Sequence, residues 1–272
     1  MRCKSFLKRI LLLLLVLSLT LPIYANVMPV QAASVSVKKA EDGKWVTRNK
    51  KVFYMVSGKR QKGLNKIKGE IYYFDSEGVQ RTGWQKIGKK YYYFNIANGK
   101  KGYMIKDQKI NGIKLQKNGT AKVTADNKVK IKALIKATEV VEKITKPTMT
   151  KSEKLEKCFQ YCTKKLKYRG ARKFEGGKNW DAKYVLDMLG KGRGNCYAYG
   201  ATFAYLANAS GYEDAYAVSS GGHGWAEVKN KIYDPSWELV DKKHDYYGLS
   251  YKLSGVDGRP NYKNGKKHVK KV

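Results

Sequence analysis

Acidic side chains are scarce in this chain: 22 Asp and Glu stand against 56 Lys and Arg, a formal net charge of +34. The excess is mostly lysine and is spread along the chain instead of gathering in one arm. No nucleic-acid motif accompanies it, so DNA and RNA are rejected as partners, and an acidic polymer of the cell envelope suits the charge. Cysteine is also rare. Cys3 precedes the first apolar run, leaving Cys158, Cys162 and Cys196, an odd number that argues against a disulfide framework. Histidine occurs at three positions, His223, His244 and His268. Cys158/Cys162 is the single Cys/His pair at ligand spacing, and it reads as a helical pair, so no metal or other cofactor is expected.

Long apolar runs are limited to one, residues 10–21, preceded by Arg2, Lys4, Lys8 and Arg9 and followed by the small residues Ala25, Ala32 and Ala33. The run is too short to span a bilayer comfortably. Residues 1–33 therefore read as a secretory signal, and the chain as an exported protein.

What the sequence does have is an internal repeat over residues 34–125. Trp45 precedes Val52-Phe53-Tyr54-Met55, Leu64 precedes Ile71-Tyr72-Tyr73-Phe74, and Trp84 precedes Tyr91-Tyr92-Tyr93-Phe94, each after the same gap. Turn signals (Lys68-Gly69, Gly88-Lys89, Asn98-Gly99) separate the runs, and Asn111-Gly112 marks a degenerate fourth hairpin. One hairpin cannot bury its aromatic face alone, so neighbours are expected to stack into a solenoid. The segment Gly83-Trp84-Gln85-Lys86-Ile87-Gly88-Lys89-Lys90-Tyr91-Tyr92-Tyr93-Phe94 resembles the cell-wall-binding (choline-binding-type) repeats of Gram-positive surface proteins. That resemblance implies aromatic cages between repeats, with Trp45, Trp84, Tyr72 and Tyr92 as ligand-binding candidates. It also implies a wall-polymer partner: teichoic acid, choline or polysaccharide. Leu64 stands where a cage tryptophan is expected, and Met55 replaces an aromatic residue.

Residues 126–272 read as a second domain. Apolar spacing predicts helices over 128–145, 151–168 and 181–189, with Thr150 and Glu153 forming a capping box on the second. Leu155, Cys158, Phe159, Cys162 and Leu166 share one apolar face, which makes both cysteines small buried hydrophobes. A fourth helix starts at Cys196 and stops at Gly211. Short strands are expected at 215–218, 225–228, 231–233 and 248–253, with a hairpin through Lys229-Asn230. Helices followed by strands indicate an α+β fold.

Elimination of Cys158 and Cys162 leaves Cys196 as the reactive thiol, in the first turn of a helix after Gly194-Asn195, where free backbone N–H groups favour an anion. His223 follows Gly221-Gly222 at the head of a strand. Asp234 comes across a tight hairpin, stiffened by Pro235 and placed to orient the imidazole. His244 sits in a charged loop and His268 in a basic tail expected to be solvated. The order Tyr168, Gly194-x-Cys196-x-x-Tyr199, His223-x-Trp225, Asp234-Pro235-Ser236-Trp237 resembles the transglutaminase-like superfamily. The resemblance implies a papain-like fold with Cys196 as nucleophile, His223 as base and Asp234 as orienter. No oxyanion-stabilising side chain can be assigned; Trp180 is a weak candidate that fits better as core.

The combined expectation is a secreted enzyme at the Gram-positive cell wall or surface, acting on peptide or protein amides as a peptidase or amidase, or by cross-linking. The alternative is a non-catalytic adhesin with a degenerate transglutaminase-like domain.

Overall fold

In every repeat the aromatic run pairs antiparallel with the strand before it: Trp45 faces Tyr54, Leu64 faces Tyr73, and Trp84 faces Tyr93. Leu64 thus takes the cross-strand place that tryptophan holds on either side of it. This is a computed structural model, and it describes residues 36–272 except 41, 97–101, 221 and 264–267. The expected signal segment, the Asn98-Gly99 turn, Gly221, and Lys266 and Lys267 lie outside the described residues. Neighbouring repeats cover one another. Tyr54 of the first buries against Ile67 and Phe74 of the second, and Leu64 of the second against Tyr92 and Phe94 of the third. The Asn111-Gly112 turn has positive φ at both residues, the backbone twist that a tight two-residue hairpin requires. A strand the sequence did not signal, Val37–Lys39, lies parallel to Gly63–Ile67.

Helix α1 spans Ala125–Ile144, three residues ahead of its apolar periodicity. Its start is fixed by a reciprocal cap: Asn127 donates its backbone N–H to the Thr124 hydroxyl at 3.2 Å, and Thr124 donates its own to the Asn127 side chain at 2.9 Å. Helix α2, Lys151–Lys165, carries the expected Thr150/Glu153 box, with bonds of 3.2 and 2.7 Å. It stops short of Tyr168 because Lys167–Tyr168 extends to pair in parallel with Arg193–Gly194. Helix α3 is Trp180–Lys191, and α4 is Cys196–Ala209.

Helix α4 is central. Every residue from Cys196 to Ala207 is buried, and its alanines let it sit close against α1, α2 and α3 and against the sheet. The sheet is antiparallel throughout, in the order Tyr247–Leu249, Lys231–Tyr233, His223–Val228, Ala215–Ser220, His268–Lys271. The basic tail stays exposed, as expected of a solvated segment, but it is a strand that the sequence did not signal. The free backbone edge of Ala215–Ser220 recruits it, and lysines suit an edge position open to water.

Residues 35–272 share one compact unit, so the hairpins and helices are not separate bodies. Trp84, Ile113 and Leu115 join the helices' core, and Arg81 forms an ion pair with Glu142 of α1. The hairpins give way to α1 at Thr124. Among the described residues, no helix is long and apolar enough to cross a membrane.

Candidate active site

Two glycines bring the thiol-bearing helix to the histidine-bearing strand. A Cβ on Gly200 would lie 2.6 Å from the Trp225 backbone, and one on Gly224 would lie 2.6 Å from the Tyr197 Cα. Any larger residue at either place would push α4 off the strand. With both in contact, Cys196 in the first turn of α4 meets His223 at the head of the strand.

The three residues selected from sequence lie together. The His223 Nε2 is 2.5 Å from the Asp234 Oδ2, and the Cys196 sulfur is near enough to help raise the pKa of the same ring. Nε2 being occupied by Asp234, Nδ1 is the nitrogen left for the thiol. Asp234 is fully buried, yet its charge is well compensated: Oδ1 accepts from the Ser236 N–H at 3.1 Å, the Ser236 hydroxyl at 2.7 Å and the Trp237 N–H at 3.1 Å. Burial pushes its pKa up, but His223 and these donors outweigh burial and hold it below the ordinary value. For His223, burial alone would lower the pKa. The Asp234 carboxylate, its hydrogen bond and the Cys196 sulfur overcome burial and raise it to about 10. The imidazole is therefore charged at neutral pH, next to the sulfur.

Sequence reasoning missed two tyrosines. Tyr262 donates to the Asp234 Oδ2 at 2.8 Å, and burial beside that carboxylate keeps its phenol protonated. Its only sequence signal was an aromatic residue in a loop rich in polar and glycine positions. Tyr168, at the end of a helix by apolar spacing, lies on the short strand Lys167–Tyr168. It sits beside Cys196, and burial, with that thiol close by, pushes its phenol pKa up. Trp180 is core, 1 % exposed, with its ring 5.1 Å from Phe174. Cys196 itself is 5 % exposed, and Tyr168 is 42 % exposed.

The remaining candidates fall elsewhere. Cys158 and Cys162 are fully buried in α2, and burial pushes the Cys158 thiol up to about 12. His244 bridges Asp241 at 2.7 Å and Asp257 at 2.9 Å, and the His268 ring lies 4.7 Å from Phe174. Of the aromatic ligand candidates, Trp84 and Tyr92 are core residues. Trp84 is 2 % exposed, and its indole N–H is committed to the Asn111 side chain at 2.7 Å, so neither face is free for a cage. Tyr92 is buried with Leu64, Phe94 and Met104. Trp45 is 43 % exposed, with Tyr54 and Tyr72 each 5.0 Å away in edge-on packing.

Comparison with known proteins agrees with both halves of this description. Residues 61–103 match the family model of the choline-binding repeat, and residues 138–242 match that of the transglutaminase-like superfamily. The chain carries choline-binding repeats ahead of a transglutaminase-like domain. Among solved structures it is similar to the choline binding domain of Spr1274 from Streptococcus pneumoniae: 25 % identity, 28 % of this chain, 90 % of that one, TM-score 0.26. A second is choline binding protein F from Streptococcus pneumoniae, determined with a peptidoglycan analogue: 27 % identity, 30 % of this chain, 29 % of that one, TM-score 0.26. A third is the modular Cpl-1 endolysin, complexed with a peptidoglycan analogue: 25 % identity, 30 % of this chain, 25 % of that one, TM-score 0.22. The chain spans most of the first but less than a third of the other two. No curated protein matches.

Proposed function

We propose that this protein is an exported, wall-associated cysteine enzyme that attacks amide bonds with Cys196, with His223 as base and acid and Asp234 as its orienter. The observation that carries this reading is the His223 ring, 2.5 Å from the Asp234 carboxylate, at the head of the strand packed tightly against the helix that begins at Cys196. A charged imidazole beside a thiol favours the thiolate, the nucleophilic form. The sulfur adds to the acyl carbon, and the developing oxyanion takes the Cys196 N–H, with the Tyr168 hydroxyl as the second donor beside it. The imidazolium then protonates the departing amine as the carbon–nitrogen bond breaks, leaving a thioester. Neutral His223 next removes a proton from water, whose oxygen displaces the sulfur to release a carboxylic acid. An amine in place of water would give cross-linking instead.

In this reading residues 1–33 direct export, and residues 34–125 form a hairpin solenoid that docks on wall polymer. The repeat family match and the exposed Trp45 beside Tyr72 support docking. Residues 126–272 form the catalytic domain with a papain-like arrangement. The near-complete burial of Cys196 favours the second reading, a binding-only adhesin, because an acyl group needs open access to the sulfur.

Product profiling separates the two readings. Purified Gram-positive walls and surface proteins are treated with the wild type and with Cys196→Ala in water enriched in oxygen-18. The enzyme reading expects new carboxyl termini carrying the heavy oxygen with the wild type alone. Identical profiles from both proteins would leave only the adhesin.

A further inference from the structure

Next to Cys196 lies a groove of about 360 Å³, within the range of ligand pockets, walled by the segment after Tyr168, by α3 and by the start of α4. Its lining includes Gly194, Asn195 and Ala198, so it runs along the chain that delivers the nucleophile; Asn195 is bonded directly to Cys196. Four cations border it, Arg169, Arg172, Lys173 and Lys183, all exposed. Among the described residues none of the four has a carboxylate within 4.0 Å. The acidic residues on the lining are Glu175 and Asp187, and Asp187 is already paired with Lys191.

The positive rim is held in place. Phe174, between Lys173 and Glu175, packs its ring 5.1 Å from Trp180 and 4.9 Å from Tyr197, and the Glu175 N–H donates to the Tyr184 hydroxyl at 3.0 Å. Trp180, one wall, has a buried indole N–H without an acceptor among the described residues, a donor that gains by receiving one. Cations around a concavity focus their field into it, and guanidinium forks match carboxylate geometry.

We infer that this groove is a subsite for a carboxylate, so that the acyl donor is an acidic peptide with its negative group a few bonds from the amide attacked. The inference rests on Cys196 being the nucleophile. In a productive complex the carboxylate lies among Arg172, Lys173 and Lys183 while the amide carbon reaches the sulfur.

Paired alkylation tests the subsite without any known substrate. The full chain is labelled with iodoacetate, which is anionic, and with iodoacetamide, which is neutral and similar in size. Site-resolved mass spectrometry gives the rate at Cys196 for each. The Arg172→Gln/Lys173→Gln/Lys183→Gln variant changes only exposed rim charges, so folding is undisturbed and the charge on His223 is common to both proteins. The rate ratio, iodoacetate over iodoacetamide, should fall on the order of fivefold at low ionic strength, and the iodoacetamide rate should stay within about twofold. A glutamate-rich peptide should protect Cys196 from iodoacetamide in the wild type and not in the variant. An unchanged ratio, or protection by inorganic phosphate at equal ionic strength but not by the peptide, would overturn the acidic-peptide subsite. Failure of both reagents to label Cys196 would instead remove the nucleophile on which the subsite depends.

Discussion

Gly224 lies against Tyr197 so closely that a β-carbon added there would stand 2.6 Å from the Tyr197 Cα. This contact sets how near the His223 strand comes to the helix that begins at Cys196. Gly224→Ala should cost about 1–3 kcal/mol through overpacking. It should also slow alkylation of Cys196 far more than the stability loss accounts for. Urea unfolding and labelling rates, measured on the same preparation, check both effects; a stable variant with normal labelling would show that the contact does not position the pair.

His223 gives a pH signature. Its pKa is raised from 6.5 to about 10 in the fold, so its contribution to stability is complete below about pH 6.5 and fades as pH rises through about 10. Wild-type stability should therefore fall relative to His223→Gln across that window, as read by thermal unfolding at pH 6, 8 and 10. Asp234→Asn removes the largest raising influence, and the imidazole proton resonances should then titrate much closer to the ordinary value. Titration unchanged from the wild type would mean that Asp234 does not hold the charge on the ring.

Tyr168 is distinguishable from a simple cover. Alkylation forms no oxyanion, whereas acylation by a nitrophenyl ester does. Tyr168→Phe should slow acylation on the order of 100-fold, the scale of losing one oxyanion donor, while iodoacetamide labelling stays the same or rises. Equal changes in both rates would assign the hydroxyl to covering the sulfur only.

Two tryptophans in equivalent repeat positions should behave oppositely. Trp84 is buried between the third hairpin and α1, so Trp84→Ala should cost about 3–5 kcal/mol. Trp45 is partly exposed, so Trp45→Ala should leave unfolding nearly unchanged and weaken pelleting with purified Gram-positive walls. Salt alone releasing the wild type would point to lysine charge in place of an aromatic site.

These contrasts mark how far the sequence could be read. Local rules were sufficient for the hairpins, because the aromatic spacing and the Lys68-Gly69 and Asn111-Gly112 turns are written in contiguous residues. They were also sufficient for α2, whose capping box lies within four residues. The cap of α1 was hidden because Asn127 does the work usually given to Glu or Gln. Cys196, His223 and Asp234 could be singled out in the sequence because each is a rare or motif-bound residue at an element end. Tyr168 and Tyr262 could not. Their roles depend on the parallel pairing of Lys167–Tyr168 with Arg193–Gly194 and on a loop returning over Asp234. Contacts between such distant residues leave no local pattern. The burial of Trp84 is of the same kind: its repeat position suggests a cage, but the helices packed on it decide otherwise.

The most direct measurement is competitive alkylation of the three cysteines beyond the signal segment at neutral pH, resolved by mass spectrometry in the wild type, His223→Ala and Asp234→Asn. Cys196 should react first and almost alone, with Cys158 and Cys162 shielded, and His223→Ala should slow it by about tenfold or more. Equal labelling of the three thiols, or a Cys196 rate indifferent to His223, would contradict a nucleophile activated by this imidazole.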